Sequence, residues 1–110
     1  MSEFLLVFRR DYKTQEIQPS AEQMKEHLAH WQVFFASLKD KLARPIQRFD
    51  PQGKIVMGSD AISDGPYAEV TQSIGGLLII NAEDYQEAVG IAKTCPVLEL
   101  GGTVEVRQGV

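Results

Sequence analysis

His27 and His30 are the two histidines of the chain, three residues apart, a spacing that puts both on one side of a helix. An imidazole is the side chain that gains and loses a proton near neutral pH, and a carboxylate beside it orients the ring and stabilises its charged form. Asp64, at the head of Asp64-Gly65-Pro66-Tyr67-Ala68-Glu69, is the carboxylate best suited to that task. Pro66 fixes a backbone dihedral and Gly65 opens conformations that other residues avoid, so the sequence predicts that Asp64 is presented from a rigid bend. His27 with Asp64 is therefore a candidate acid/base pair, with His30 as the alternative to His27. The competing reading is that Asp-Gly and Gly-Pro simply make a turn, and that each histidine is a helix-boundary residue with a satisfied hydrogen bond.

Other side chains offer binding rather than proton transfer. Glu69 is either a second carboxylate of the same pocket or a solvated residue leading into a strand. Tyr67 and Tyr12 are suited to lining a cavity, or else to packing. Arg9, at the end of an apolar run, can meet an anionic ligand or pair with an acid such as Glu105 or Asp64, and the ion pair is the favoured reading. A histidine pair at this spacing needs a further ligand to hold zinc, and no spacing supplies one, so neither metal nor cofactor is expected. Gly75, Gly76, Gly101 and Gly102 lack the strand-to-helix context of a phosphate loop and are assigned to backbone geometry. The single Cys95, just before Pro96, reads as a small buried hydrophobe.

The elements that must position these groups follow from the hydrophobic period. Phe4 to Phe8 is a continuous apolar run, as expected of a central strand. Ser20 and Gln23 make a capping box, and Met24, Leu28, Trp31, Phe35 and Leu38 recur at helical spacing to about residue 40. On that helix His27 falls at the edge of the apolar stripe and His30 further out. Ile46 to Phe49 and Ile55 to Met57 flank Asp50-Pro51-Gln52-Gly53, a type I turn pattern that predicts a hairpin. Ile74 to Ile80 reads as a second central strand. Asn81 is the expected N-cap of a second helix carrying Tyr85, Ala88, Val89 and Ala92 and ending before Pro96, with Gly90 weakening it or marking close packing. Val104 and Val106, alternating with Glu105 and Arg107, give a final half-buried strand.

The order is β-α-β-β-α-β with an inserted β-hairpin, which predicts an α+β fold: a ferredoxin-like split βαβ sheet with both helices on one face. Two strands that are apolar on both sides leave the other face to be covered, and a second copy of the chain in a symmetric homodimer is the expected cover. At 110 residues the chain fits a single domain over 1–110. A net charge of −4, with no clustered basic surface, excludes nucleic acid as the expected partner. No stretch reaches the roughly 20 apolar residues of a membrane helix, and the start lacks the basic leader of a secretory signal, so a cytoplasmic location is expected.

Taken together, Asp64-Gly65-Pro66-Tyr67-Ala68-Glu69, Gly75-Gly76, Ala88 to Pro96 and Gly102-Thr103-Val104-Glu105-Val106-Arg107 resemble the YCII-related, DGPF-domain family over about residues 4 to 108. The resemblance implies a dimeric α/β barrel built from ferredoxin-like subunits. It also implies an active site of a His and an Asp facing a pocket; the His27-Leu28 step is similar to the His-Leu of YciI-type relatives, which favours His27. It implies, as the enzyme reading, a cofactor-independent reaction on a small apolar or aromatic carbonyl or lactone-like molecule bound between the sheet and the first helix. A non-catalytic reading is implied as well, since family members often occur beside extracytoplasmic-function sigma factors: a ligand-binding or regulatory dimer with a protein partner. The chain departs from the family pattern at Tyr67, where Phe is usual, at Thr71-Gln72, where a Lys-Glu pair is common, and at Leu42-Ala43-Arg44, where a glycine usually follows the first helix.

Overall fold

The computed structural model describes residues 1–11, 20–45, 47–49, 53–58, 61–65 and 72–110. The first strand, β1 (Ser2–Asp11), leads to helix α1 (Ala21–Ser37) and a short strand β2 (Gln47–Arg48). Strands β3 (Gly53–Met57) and β4 (Ala61–Gly65) come next, then the long β5 (Gln72–Ala82), helix α2 (Tyr85–Ala92), a 3-10 helix (Pro96–Leu100) and β6 (Thr103–Gln108). Four strands form one antiparallel sheet in the order β2-β5-β1-β6, while β3 and β4 form a separate two-stranded sheet. The fold is thus α+β, an antiparallel sheet with two helices.

Side chains alternate across a strand, and β1 uses that alternation to build the core. Phe4, Leu6 and Phe8 point to one face and are almost fully buried, against Leu78, Ile80 and Ala82 of β5, Phe34 and Leu38 of α1, and Ala88 and Ala92 of α2. Both helices therefore lie on the same face. The opposite face presents Leu5 and Val7 beside Leu77 and Ile79. Where β1 meets β5 the register slips between Phe8 and Arg9, so that Phe8 faces Gly76 and Arg9 faces Ile74, and Gly75 is the extra residue of a bulge.

Helix α1 begins as the sequence predicts: the Ser20 hydroxyl accepts from Gln23 N–H, and the Gln23 side chain accepts from Ser20 N–H. Its rotation differs from the prediction. His27, Phe34 and Leu38 are buried, Met24, Trp31 and Phe35 are half-buried, and Leu28 stays 51% exposed. The helix has turned so that the line through 27, 31, 34 and 38 faces the sheet.

Residues 50–52 of the predicted turn lie outside the described residues, and the strands on either side of it pair with other partners than each other. Gln47 and Arg48 pair with Leu77 and Gly76 of β5, extending the edge that Lys41 and Ala43 already occupy through Asn81 N–H to Lys41 O (2.7 Å) and Ala43 N–H to Ile79 O (2.8 Å). A central strand's backbone groups must be satisfied on both sides, and this segment serves β5. β3 instead pairs with β4 across a turn containing Gly58 at φ 73°, a left-handed conformation that suits glycine. Asp64 sits in β4, opposite Lys54, next to Gly65 at the strand's end, and the bend predicted from Pro66 onward lies outside the described residues.

Helix α2 starts three residues later than expected. Asn81 belongs to β5, and the N-cap is Asp84, whose carboxylate accepts from Glu87 N–H at 2.9 Å. Tyr85 ties the helix down, with its ring 5.0 Å from that of Phe4 and its hydroxyl accepting from Gln108 N–H at 2.9 Å. No described helix is long and apolar enough to cross a membrane.

Pro96 does not merely stop α2; it opens the 3-10 helix, where its missing N–H costs nothing. Gly101 closes that helix at φ 76°, and Gly102 follows in a close approach: a methyl group there would stand 2.6 Å from the Arg9 carbonyl oxygen and 2.7 Å from that of Val97. Gly102→Ala should therefore destabilise the protein by about 1–3 kcal/mol through overpacking. Gly90, with open space around its Cβ position, should behave oppositely, Gly90→Ala stabilising the helix by about 0.5–1 kcal/mol. Urea denaturation of the two variants checks both signs.

Candidate functional site

The 3-10 helix brings Glu99 against α1, and both histidines meet it. His27 Nδ1 lies 2.9 Å from Glu99 Oε2, and His30 Nδ1 lies 2.7 Å from Oε1, so one carboxylate bridges two imidazoles. The other ring nitrogen of His27 is also engaged: Trp31, one helical turn on, places its indole Nε1 2.8 Å from His27 Nε2. An indole N–H can only donate, so Nε2 accepts and the network assigns the proton of neutral His27 to Nδ1, which donates to Glu99. His27 is 6% exposed, and that burial is tolerable because both nitrogens are bonded. His30 is different. Its side chain is 47% exposed, and its Nε2 has no partner among the described residues.

Trp31 is the hub of an aromatic cluster. Its ring lies 5.5 Å from Phe8 and 5.8 Å from Phe34, both edge-on, and 5.3 Å from Phe35 in a tilted arrangement. The imidazole of His27 completes the cluster, perpendicular to the indole at 6.0 Å. The site thus has an apolar, flat-walled side made by rings of β1 and α1 and an anionic side made by Glu99. The Glu99 carboxyl is held below its ordinary value, first by the hydrogen bond from His27, then, against a smaller opposing effect of burial, by the bond from His30 and the charges of both rings.

Arg9 is paired: its Nη1 donates to Glu105 Oε1 at 2.6 Å, while Arg107 Nε donates to the second oxygen of the same carboxylate. The two guanidinium groups, Arg107 foremost, hold the Glu105 carboxyl below its usual range. Cys95 is 2% exposed, and burial pushes its thiol up to about 11, against the lowering effect of a hydrogen bond from the Val97 backbone, which leaves it unreactive. Of the other residues singled out from sequence, Asp64 is described as a backbone position in β4, and Tyr12, Tyr67 and Glu69 lie outside the described residues. The structure brings His27 and His30 together and supplies Glu99 and Trp31, which the sequence reading did not choose. Trp31 was visible as an i,i+4 neighbour of His27. Glu99 had no local signal.

A model of the YCII-related domain matches residues 4–108, and the chain belongs to that family. No curated protein matches it. Among solved structures it is similar to the 5-chloro-2-hydroxyhydroquinone dehydrochlorinase of Burkholderia phenoliruptrix AC1100, in complex with 2,5-dihydroxybenzoquinone, at 18% identity and a TM-score of 0.49 over 97% of this chain and 93% of that one.

The bridge at Glu99 has a pH signature. Because the folded carboxyl binds its proton less tightly than the unfolded one, its stabilising contribution is fully present above the ordinary value of 4.5 and is lost as pH falls through the lowered folded value. Glu99→Gln should cost about 1 kcal/mol at neutral pH, a modest figure because the carboxylate is partly exposed. The gap between wild type and variant should close as pH drops below 4.5, measured by urea midpoints across a pH series.

Proposed function

We propose that this YCII-related protein is a small-molecule enzyme that works by proton transfer without a bound cofactor. The observation that carries the reading is the Glu99 carboxylate on Nδ1 of a buried His27. A carboxylate there fixes the tautomer and ring orientation and stabilises the imidazolium that forms when Nε2 takes a proton, the arrangement that makes a histidine an effective general base. His27 is the proposed proton carrier and Asp64 its proposed acidic counterpart, on the strength of the Asp64-Gly65-Pro66-Tyr67 motif and the family to which the chain belongs. His30, sharing Glu99 and with no partner for its Nε2 among the described residues, is the alternative carrier. Tyr67, Glu69 and Arg9 are proposed to contact the ligand, Arg9 exchanging part of its pairing with Glu105 for an anionic group. The substrate class proposed is a small apolar or aromatic carbonyl or lactone-like molecule.

The sheet order β2-β5-β1-β6, with two crossing connections packed on one face, supports a ferredoxin-like split βαβ subunit. The apolar strip of Leu5, Val7, Leu77 and Ile79 on the other face supports a homodimer closed into an α/β barrel, in a single-domain cytoplasmic protein. Light scattering at micromolar concentration should return twice the chain mass, and a monomer rejects this assembly.

A second reading is favoured by the saturation of His27: an imidazole bonded on both nitrogens is also what a purely structural histidine looks like. On that reading the protein is a ligand-binding or regulatory dimer, with a sigma factor as the kind of partner its family points to. NMR titration of both histidines in wild type and in Asp64→Asn separates the two. The enzyme reading expects one histidine to titrate at lower pH once Asp64 loses its charge. If neither responds, His27 and Asp64 do not act as a pair, and the proposed His-Asp mechanism is rejected.

A further inference from the structure

Within the proton-transfer reading, the indole of Trp31 occupies the position that matters most. Nε2 of His27 is the nitrogen that a base would use, and in this structure its lone pair is held by an N–H donor. The two bonds to the ring are unequal. That to Glu99 involves a carboxylate and is charge-assisted, whereas that to Trp31 joins two neutral groups and is the weaker. The ring therefore opens first on the Trp31 side. Trp31 is itself half-buried, the second of the four α1 positions that face the sheet, and three other rings, those of Phe8, Phe34 and Phe35, surround the place it fills.

We propose that Trp31 is a gate over His27, and that the site behind it takes a flat conjugated molecule bearing one weakly acidic N–H or O–H, which replaces the indole N–H on His27 Nε2. The aromatic walls set the flatness, because they already accommodate a planar ring. Weak acidity follows from the electrostatics: a strong acid would arrive as an anion, with no proton to donate, next to a Glu99 held in its charged form. The internal donor satisfies Nε2, which is why an imidazole only 6% exposed carries no unpaired nitrogen. Trp31 acts through His27 and is a positioning residue.

Binding of 2-naphthol and of its methyl ether, 2-methoxynaphthalene, to wild type and to Trp31→Phe tests the gate. The variant keeps an aromatic ring and removes the competing donor, so 2-naphthol should bind about threefold to tenfold more tightly, the worth of one neutral hydrogen bond, with no gain for the ether. Equal gains for both, no gain, or no binding of 2-naphthol to either protein overturns the proposal. Should Trp31→Phe fail to fold, wild type decides the matter alone. Trp31 is the only tryptophan of the chain, so 2-naphthol must move the single indole N–H resonance together with the His27 ring nitrogens, and an unmoved indole signal at saturation refutes the gate. The readout is binding, so it stands or falls apart from turnover: loss of the Asp64→Asn titration response tells against the acid/base pair, whereas these outcomes concern Nε2 alone.

Discussion

The four-stranded sheet and both helices lean on the burial of β1. It is one of the two inner strands, lying between β5 and β6, and its Phe4, Leu6 and Phe8 supply the surface on which both helices rest. Phe4 and Leu6 are fully buried, which removes apolar area from water at about 25 cal/mol per Å², the largest favourable contribution a small domain can draw on. The same strand also fixes the site. Phe8 seats Trp31, Trp31 caps His27, and the Arg9 carbonyl lies so close to Gly102 that the segment bearing Glu99 has one place to go.

The site itself is a polar exception placed at the edge of that apolar order. Burying a histidine in a core normally costs free energy, because each unpaired ring nitrogen forfeits its bonds to water. Here the donor of Trp31 and the carboxylate of Glu99 offset that cost, one from the next turn of the same helix and one from the far end of the chain. The arrangement also ties α1 to the 3-10 helix, so the chemistry of the ring and the seating of the helix are one set of contacts.

Local signals in the sequence were reliable and remote ones were not. The capping box at Ser20 and Gln23, the central strand around Phe4 to Phe8 and the final alternation at Val104 and Val106 are set by neighbours in the chain, and each is found where the pattern puts it. The rotation of α1 depended on information that no window contains. A stripe of Met24, Leu28 and Phe35 is the more apolar, yet His27 faces inward because Glu99, 72 residues away, satisfies it. Helix α2 does end before Pro96, as the pattern predicts; what no local signal announced is the 3-10 helix that Pro96 then opens, since proline ends one helix and equally starts another. The segments flanking Asp50-Pro51-Gln52-Gly53 pair elsewhere, Gln47 and Arg48 with β5 and β3 with β4, because β5 needed an edge neighbour.

The strand order also determines when this protein can fold during its synthesis. β1 is made first, but its partners are β5 and β6, and the ion pair of Arg9 with Glu105 spans 96 positions. At a translation rate of roughly 5–20 residues per second the apolar first strand waits for several seconds, unpaired, until nearly the whole chain has emerged. Such distant pairing slows folding and leaves the apolar side chains of β1 uncovered in the meantime. A circular permutant that starts at β5 would shorten that wait by placing the central strands next to each other in time.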